Sequence, residues 1–98
     1  MNDITKKAKQ SIREMSPKIA LSRIDDYKIP SPYRDVLIKV CIERKSMFEA
    51  EYLLREDGMS MSQRTLSRIL RTGLEMFHKS QNGGTMAENW QEFMSFEP

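Results

Sequence analysis

One cysteine, one histidine and one tryptophan occur in 98 residues, with four glycines and four prolines. Cys41 is alone and cannot close a disulfide within the chain; in the run V-L-I-K-V-C-I it reads as a small buried hydrophobe rather than a reactive thiol. With His78 as the only histidine, no His–Cys cluster for zinc and no nucleophile–base pair can be built within one chain. Gly83-Gly84 is not followed by Lys-Ser or Lys-Thr, so it reads as a stop and hinge and not as a phosphate loop. Asp25-Asp26 and Glu56-Asp57 are adjacent pairs whose side chains diverge on a helix, which argues against an acid–base couple. No apolar run approaches the length of a membrane span, and M-N-D-I-T-K-K-A-K-Q at the start lacks the hydrophobic stretch of a secretory signal. These absences point away from an enzyme, a bound cofactor, a metal site and the membrane, and toward a cytoplasmic chain.

What the sequence does have is charge, unevenly spread. At 31% charged and 39% hydrophobic residues it has the balance of a folded domain. A chain this short buries a modest core, which makes a homodimer the natural expectation. The formal net charge of +2 conceals a pattern. Residues 1–30 hold seven basic and four acidic groups, 31–57 five and six, 58–81 four and one, and 82–98 none and three. Two basic zones thus flank a near-neutral middle, with an acidic end set apart. Binding to phosphates needs such local positive charge, whatever the total.

The most informative stretch is M-S-Q-R-T-L-S-R-I-L at 61–70. Ser62 is placed as an N-cap, so a helix should begin near Gln63. Leu66, Ile69, Leu70, Gly73 and Phe77 then recur at helical spacing and define its buried side. Gln63, Arg64, Ser67, Arg68 and Arg71 fall on the other side, where guanidiniums alternating with an amide and hydroxyls suit phosphates and base edges in a major groove. Compensating acids are scarce: between Gly58 and Gln81 stand Arg64, Arg68, Arg71 and Lys79 against Glu75 alone.

Met61, Ser62, Thr65, Leu66, Ser67 and Arg68 fill in order a pattern that resembles the turn and recognition helix of bacterial helix-turn-helix regulators. The resemblance covers about ten residues. It implies an earlier helix packed across this one, for which Met47 to Asp57 is the candidate, opened by a capping box of Ser46 and Glu49. Phe48, Leu53, Leu54 and Tyr52 would then face the helix from Ser62. Gly58 stands two residues earlier than in the pattern, with Met59 and Ser60 intervening, so the turn is longer. The resemblance implies a sequence-specific, double-stranded DNA-binding transcriptional regulator, with Gln63, Arg64, Ser67 and Arg68 at base edges. Arg71, Lys79, Ser60 and Ser62 would hold phosphates.

The organisation expected is a basic N-terminal arm (1–15), a helical domain (16–81) and an acidic tail with a short helix (82–98), in an all-α small helical bundle. Lys6, Lys7, Lys9 and Arg13 give the arm its charge, either for a grip on backbone phosphates or as a solvated terminus. Ser16-Pro17 should open a helix to about Tyr27, with Ile19, Ala20, Leu21, Ile24 and Tyr27 as apolar positions; Ser31-Pro32 should open the next. Residues 34–44 read two ways. As a helix they bury Tyr33, Val36, Leu37, Val40, Cys41 and then Arg44 or Phe48; as a strand they alternate Val36, Ile38, Val40 and Ile42. The strand reading resembles a ribbon-helix-helix repressor, whose strand 36–42 enters the major groove. Thr85 and Glu88 form a second capping box for a helix over 86–94, whose Met86, Trp90, Phe93 and Met94 would dock onto the domain or its dimer mate or, if exposed, suit a protein partner. An adaptor or anti-repressor acting through that Met- and Trp-rich surface is the alternative to DNA binding.

Overall fold

Three helices begin where a serine caps them. Ser16, Ser46 and Ser62 all sit in extended backbone, and each hydroxyl accepts a hydrogen bond from the amide three residues on, of Ile19, Glu49 and Thr65 respectively. Such caps satisfy one of the amides a helix start leaves without an internal partner, worth about 1 kcal/mol each. At Ser46 the box is complete, because the Glu49 carboxylate accepts in return from the Ser46 amide.

The computed structural model describes residues 3–82. In order they form α1 (Asp3–Glu14), α2 (Pro17–Asp26), α3 (Tyr33–Leu37) running into a π-helical turn (Ile38–Ile42), α4 (Met47–Glu56) and α5 (Gln63–Gln81). The fold is a small all-α bundle, with no strand among the described residues. The expected helix 86–94 and its capping box lie outside the described residues.

α5 is the spine of this bundle. Leu66, Ile69, Leu70, Gly73 and Phe77 are buried as their spacing predicts, and Leu74 and Met76 join them. α1, α3 and α4 all pack against it. Gly73 lets Leu37 approach closely: a Cβ there would stand 3.2 Å from Leu37 Cγ. Tyr27 at the end of α2 meets Phe77 edge-on, with ring centroids 5.2 Å apart.

The segment after Pro32 is helical. Its buried residues are Tyr33, Val36, Leu37, Val40 and Cys41, the helical set, and not the alternating set that a strand would bury. The ribbon-helix-helix alternative therefore loses its strand. Ser31 does not cap this helix. The Ser31–Pro32 bond is cis, α3 starts at Tyr33, and the Ser31 hydroxyl donates to the Asp35 carboxylate.

α1, which falls within the expected basic arm, packs into the domain. α1 buries Thr5, Ala8 and Ile12 in the common core, which leaves its lysines along the outside. Arg44 adjusts another expectation, since it is exposed at φ 57 beyond the π turn instead of continuing a buried face. Its guanidinium donates to the Arg13 carbonyl oxygen at 2.8 Å, supplying a positive group to the C-terminal end of α1.

On α4 the inward residues are Ala50 and Leu54; Phe48 is 77% exposed and Tyr52 57%. On α2, Ala20 and Ile24 point in while Ile19 and Leu21 are exposed.

Candidate nucleic-acid interface

The link between α4 and α5 sets how α5 is presented. α4 ends in a Schellman motif: the Gly58 amide donates to the Arg55 carbonyl at 3.0 Å and the Met59 amide to the Leu54 carbonyl at 2.7 Å. Gly58 has φ +90, a conformation that glycine adopts without strain. Met59 and Met61 then pack against the core, and Ser62 starts α5. Met59, Ser60 and Met61 thus stand between the glycine and the Ser62 cap.

Beyond the cap, the outward face of α5 carries four of the residues that the sequence proposes for it. Arg64, Ser67, Arg68 and Arg71 line one shallow groove, all four exposed. At 1.5 Å per residue the three guanidinium-bearing positions extend over about 10 Å of helix. A second cleft, lined by Ser67, Leu70, Arg71 and Leu74, adjoins the first along the side that turns toward the core.

The carboxylates do not close this face. Among the described residues neither Arg64 nor Arg68 has a carboxylate within salt-bridge distance. Arg71 has Glu75 one turn on, at 3.9 Å with the arginine side chain 66% exposed, a loose surface pair worth under about 1 kcal/mol.

Three of the expected site residues stand elsewhere. Gln63 is half-buried, and its amide donates to the Met47 carbonyl oxygen and to the Glu51 carboxylate, so both its N–H donors serve the α4–α5 joint. Its position at the flank of the stripe brings it against α4. The Ser62 hydroxyl accepts from the Thr65 amide at 3.2 Å and donates to Thr65 Oγ1 at 3.1 Å, which engages it as a cap. Lys79 is exposed but fifteen positions beyond Arg64, about 22 Å along the helix and outside the groove. Thr65, assigned to neither face, is exposed at the helix start.

Other chemistry is sparse in this region. Among the described residues no group of three or more His, Cys, Asp or Glu could hold a metal ion, and no helix is long and apolar enough to cross a membrane. Cys41 is buried in the π turn, and its thiol is pushed from the ordinary 9.0 to about 11; burial is the main cause, with the nearby cations of Lys9 and Arg13 pulling the other way. What sequence reasoning missed is the exposure of Phe48 and Tyr52, both larger than Ala50, which is buried in their place. No protein-family model, curated protein or solved structure matches this chain.

Proposed function

We propose that this chain binds double-stranded DNA through the outer face of α5 and acts as a transcriptional regulator. The observation that carries the reading is the groove of Arg64, Ser67, Arg68 and Arg71, in which two guanidiniums have no acid partner among the described residues. Arginine donates in a planar fork that matches guanine edges and phosphates alike, and a helix is the element a major groove admits. The opposite side of α5 is buried along its length, so the guanidiniums are held on a rigid support. In this reading Arg64, Ser67 and Arg68 approach base edges, Arg71 holds phosphate, and Gln63 and Ser62 fix the helix that presents them.

The test is fluorescence polarisation with an enriched duplex. Arg64→Ala and Arg68→Ala should each weaken binding by about 5- to 100-fold and relax base preference, and affinity should fall steeply with salt. Parent-like binding by both variants would remove α5 as the reader.

A protein-binding module is the second reading, and one observation favours it. Phe48 and Tyr52 lie one turn apart on α4 with most of their surface in solvent, the kind of apolar exposure that marks contact sites. Phe48→Ser with Tyr52→Ser would abolish partner capture in that case and leave DNA affinity unchanged.

A further inference from the structure

α1 has a charged flank as well as a buried one. Thr5, Ala8 and Ile12 are in the core, while Lys6, Lys9, Gln10 and Arg13, with Glu14 at the edge, line a groove along the neighbouring side of the same helix. Positions 6, 9 and 13 are related by steps of three and four, so their cations stand in a row about 10 Å long. Among the described residues none of Lys6, Lys9 and Arg13 is paired with a carboxylate at salt-bridge distance. Glu14, the one acid lining the groove, accepts a hydrogen bond from the Gln10 amide at 3.0 Å. Arg44 arrives from 31 residues away and adds a fourth cation beside Arg13, where it donates to the Arg13 carbonyl oxygen. This groove shares no residue with the one on α5.

A row of cations on a firmly packed helix is suited to an evenly charged rod. Duplex DNA carries one charge per strand for about every 3.4 Å of axis, so a row of cations about 10 Å long has phosphates to meet along its length. An anionic membrane is a poorer fit, because a surface-lying helix inserts its apolar side and α1 has buried Ala8 and Ile12 in its own core. α1 also packs directly on α5. Packed helices lie 8–10 Å apart, on the scale of a major groove about 12 Å wide.

We infer that the Lys6–Lys9–Arg13 flank of α1 is a second DNA-contacting surface, which grips the phosphate backbone without regard to base sequence. The inference rests on the DNA-binding reading and adds a division of labour to it: α5 discriminates between sequences, and α1 supplies affinity common to all of them. Each phosphate contact displaces condensed counterions, so every cation lost should lower the salt dependence by about one unit of log K per log salt.

The experiment compares the full chain with the triple variant Lys6→Gln, Lys9→Gln, Arg13→Gln, using the enriched duplex and an unrelated duplex over a range of salt. Glutamine keeps the helix propensity of the residues it replaces, and the Arg13 carbonyl that receives Arg44 is retained. The expected result is a fall of roughly tenfold or more for both duplexes, a salt slope shallower by about 2 to 3, and an unchanged ratio between the two. The charge-conserving variant Lys6→Arg, Lys9→Arg should retain parental binding, and thermal melts should match throughout. An unchanged slope in the triple variant, with the parent still binding and Arg64→Ala still impaired, overturns the α1 surface and leaves the α5 reading intact. A shallower slope with Arg64→Ala and Arg68→Ala binding like the parent upholds α1 and sinks α5 as reader. A parent that binds neither duplex but sediments with vesicles containing anionic lipid overturns both.

Discussion

The side-chain amide of Gln63 donates to the backbone carbonyl oxygen of Met47 at 3.0 Å, tying the first residue of α5 to the first residue of α4. The same nitrogen also reaches the Glu51 carboxylate, which in turn accepts from Arg55 at 3.0 Å. These bonds orient one helix on the other, so Gln63→Ala should lower stability by about 1–3 kcal/mol. Thermal unfolding checks the magnitude. A selection from random duplexes should recover the parental sequence preference; a changed preference with an unchanged melt would make Gln63 a reader after all.

Gly58 should be intolerant of a side chain for backbone reasons alone. A Cβ there meets nothing within 4 Å, yet the residue has φ +90. Gly58→Ala is expected to lose about 1–2 kcal/mol, measured as a lower urea midpoint with an unchanged slope.

Gly73 presents the opposite case, since it lies in an ordinary helix but beneath a neighbour. Alanine there gains about 1 kcal/mol of helix propensity and loses a similar amount against Leu37, with contacts of 3.2, 3.4 and 3.5 Å to its side chain. Near-neutrality is expected for Gly73→Ala. Gly73→Val should cost about 1–3 kcal/mol, and Gly73→Val combined with Leu37→Ala should recover part of that loss if the contact is the cause.

Cys41 links stability to alkaline pH. Its thiol ionises near 9.0 when exposed and near 11 when buried, so the unfolded chain gives up the proton first. The stabilisation from keeping the thiol neutral is complete below pH 9, declines as pH rises, and is gone above 11. The difference between parent and Cys41→Ala in urea should therefore shrink by roughly 2 kcal/mol across that interval. At pH 8 alkylation of the native protein should be slow and should accelerate in urea.

Among the described residues Glu75 is the one acid within salt-bridge distance of a groove arginine, 3.9 Å from Arg71. Glu75→Gln removes a negative charge near the phosphate path and frees Arg71. Affinity for duplex should rise about two- to fivefold at low salt and converge with the parent at high salt.

The legible parts of this fold were those decided within a few residues. Ser16, Ser46 and Ser62 announced helix starts because a cap needs only a hydroxyl and an amide three positions on. The same logic failed at Ser31, whose hydroxyl instead turns to Asp35. The buried stripe of α5 was readable because large apolar residues repeat along it. α1 was not, because its inward face is Thr5, Ala8 and Ile12, of which only the last looks like core. On α4, Ala50 took the inward place and Phe48 the outward one, a choice made by the geometry of approach to α5 and not by hydrophobicity. For the groove, Arg64, Ser67, Arg68 and Arg71 were legible from spacing, whereas the diversion of Gln63 to Met47 and of Arg44 to Arg13 depended on partners 16 and 31 residues away.

Ser11 on α1 accepts a hydrogen bond from the Gln81 amide across 70 positions of sequence, and α5 supplies much of the seat for α1. Of these two helices, the one made earlier therefore waits for the one made later before it can dock. Until then Ile12 and Ala8 stay uncovered on the nascent chain, and truncation ahead of α5 should yield a product that chaperones hold and proteases clear.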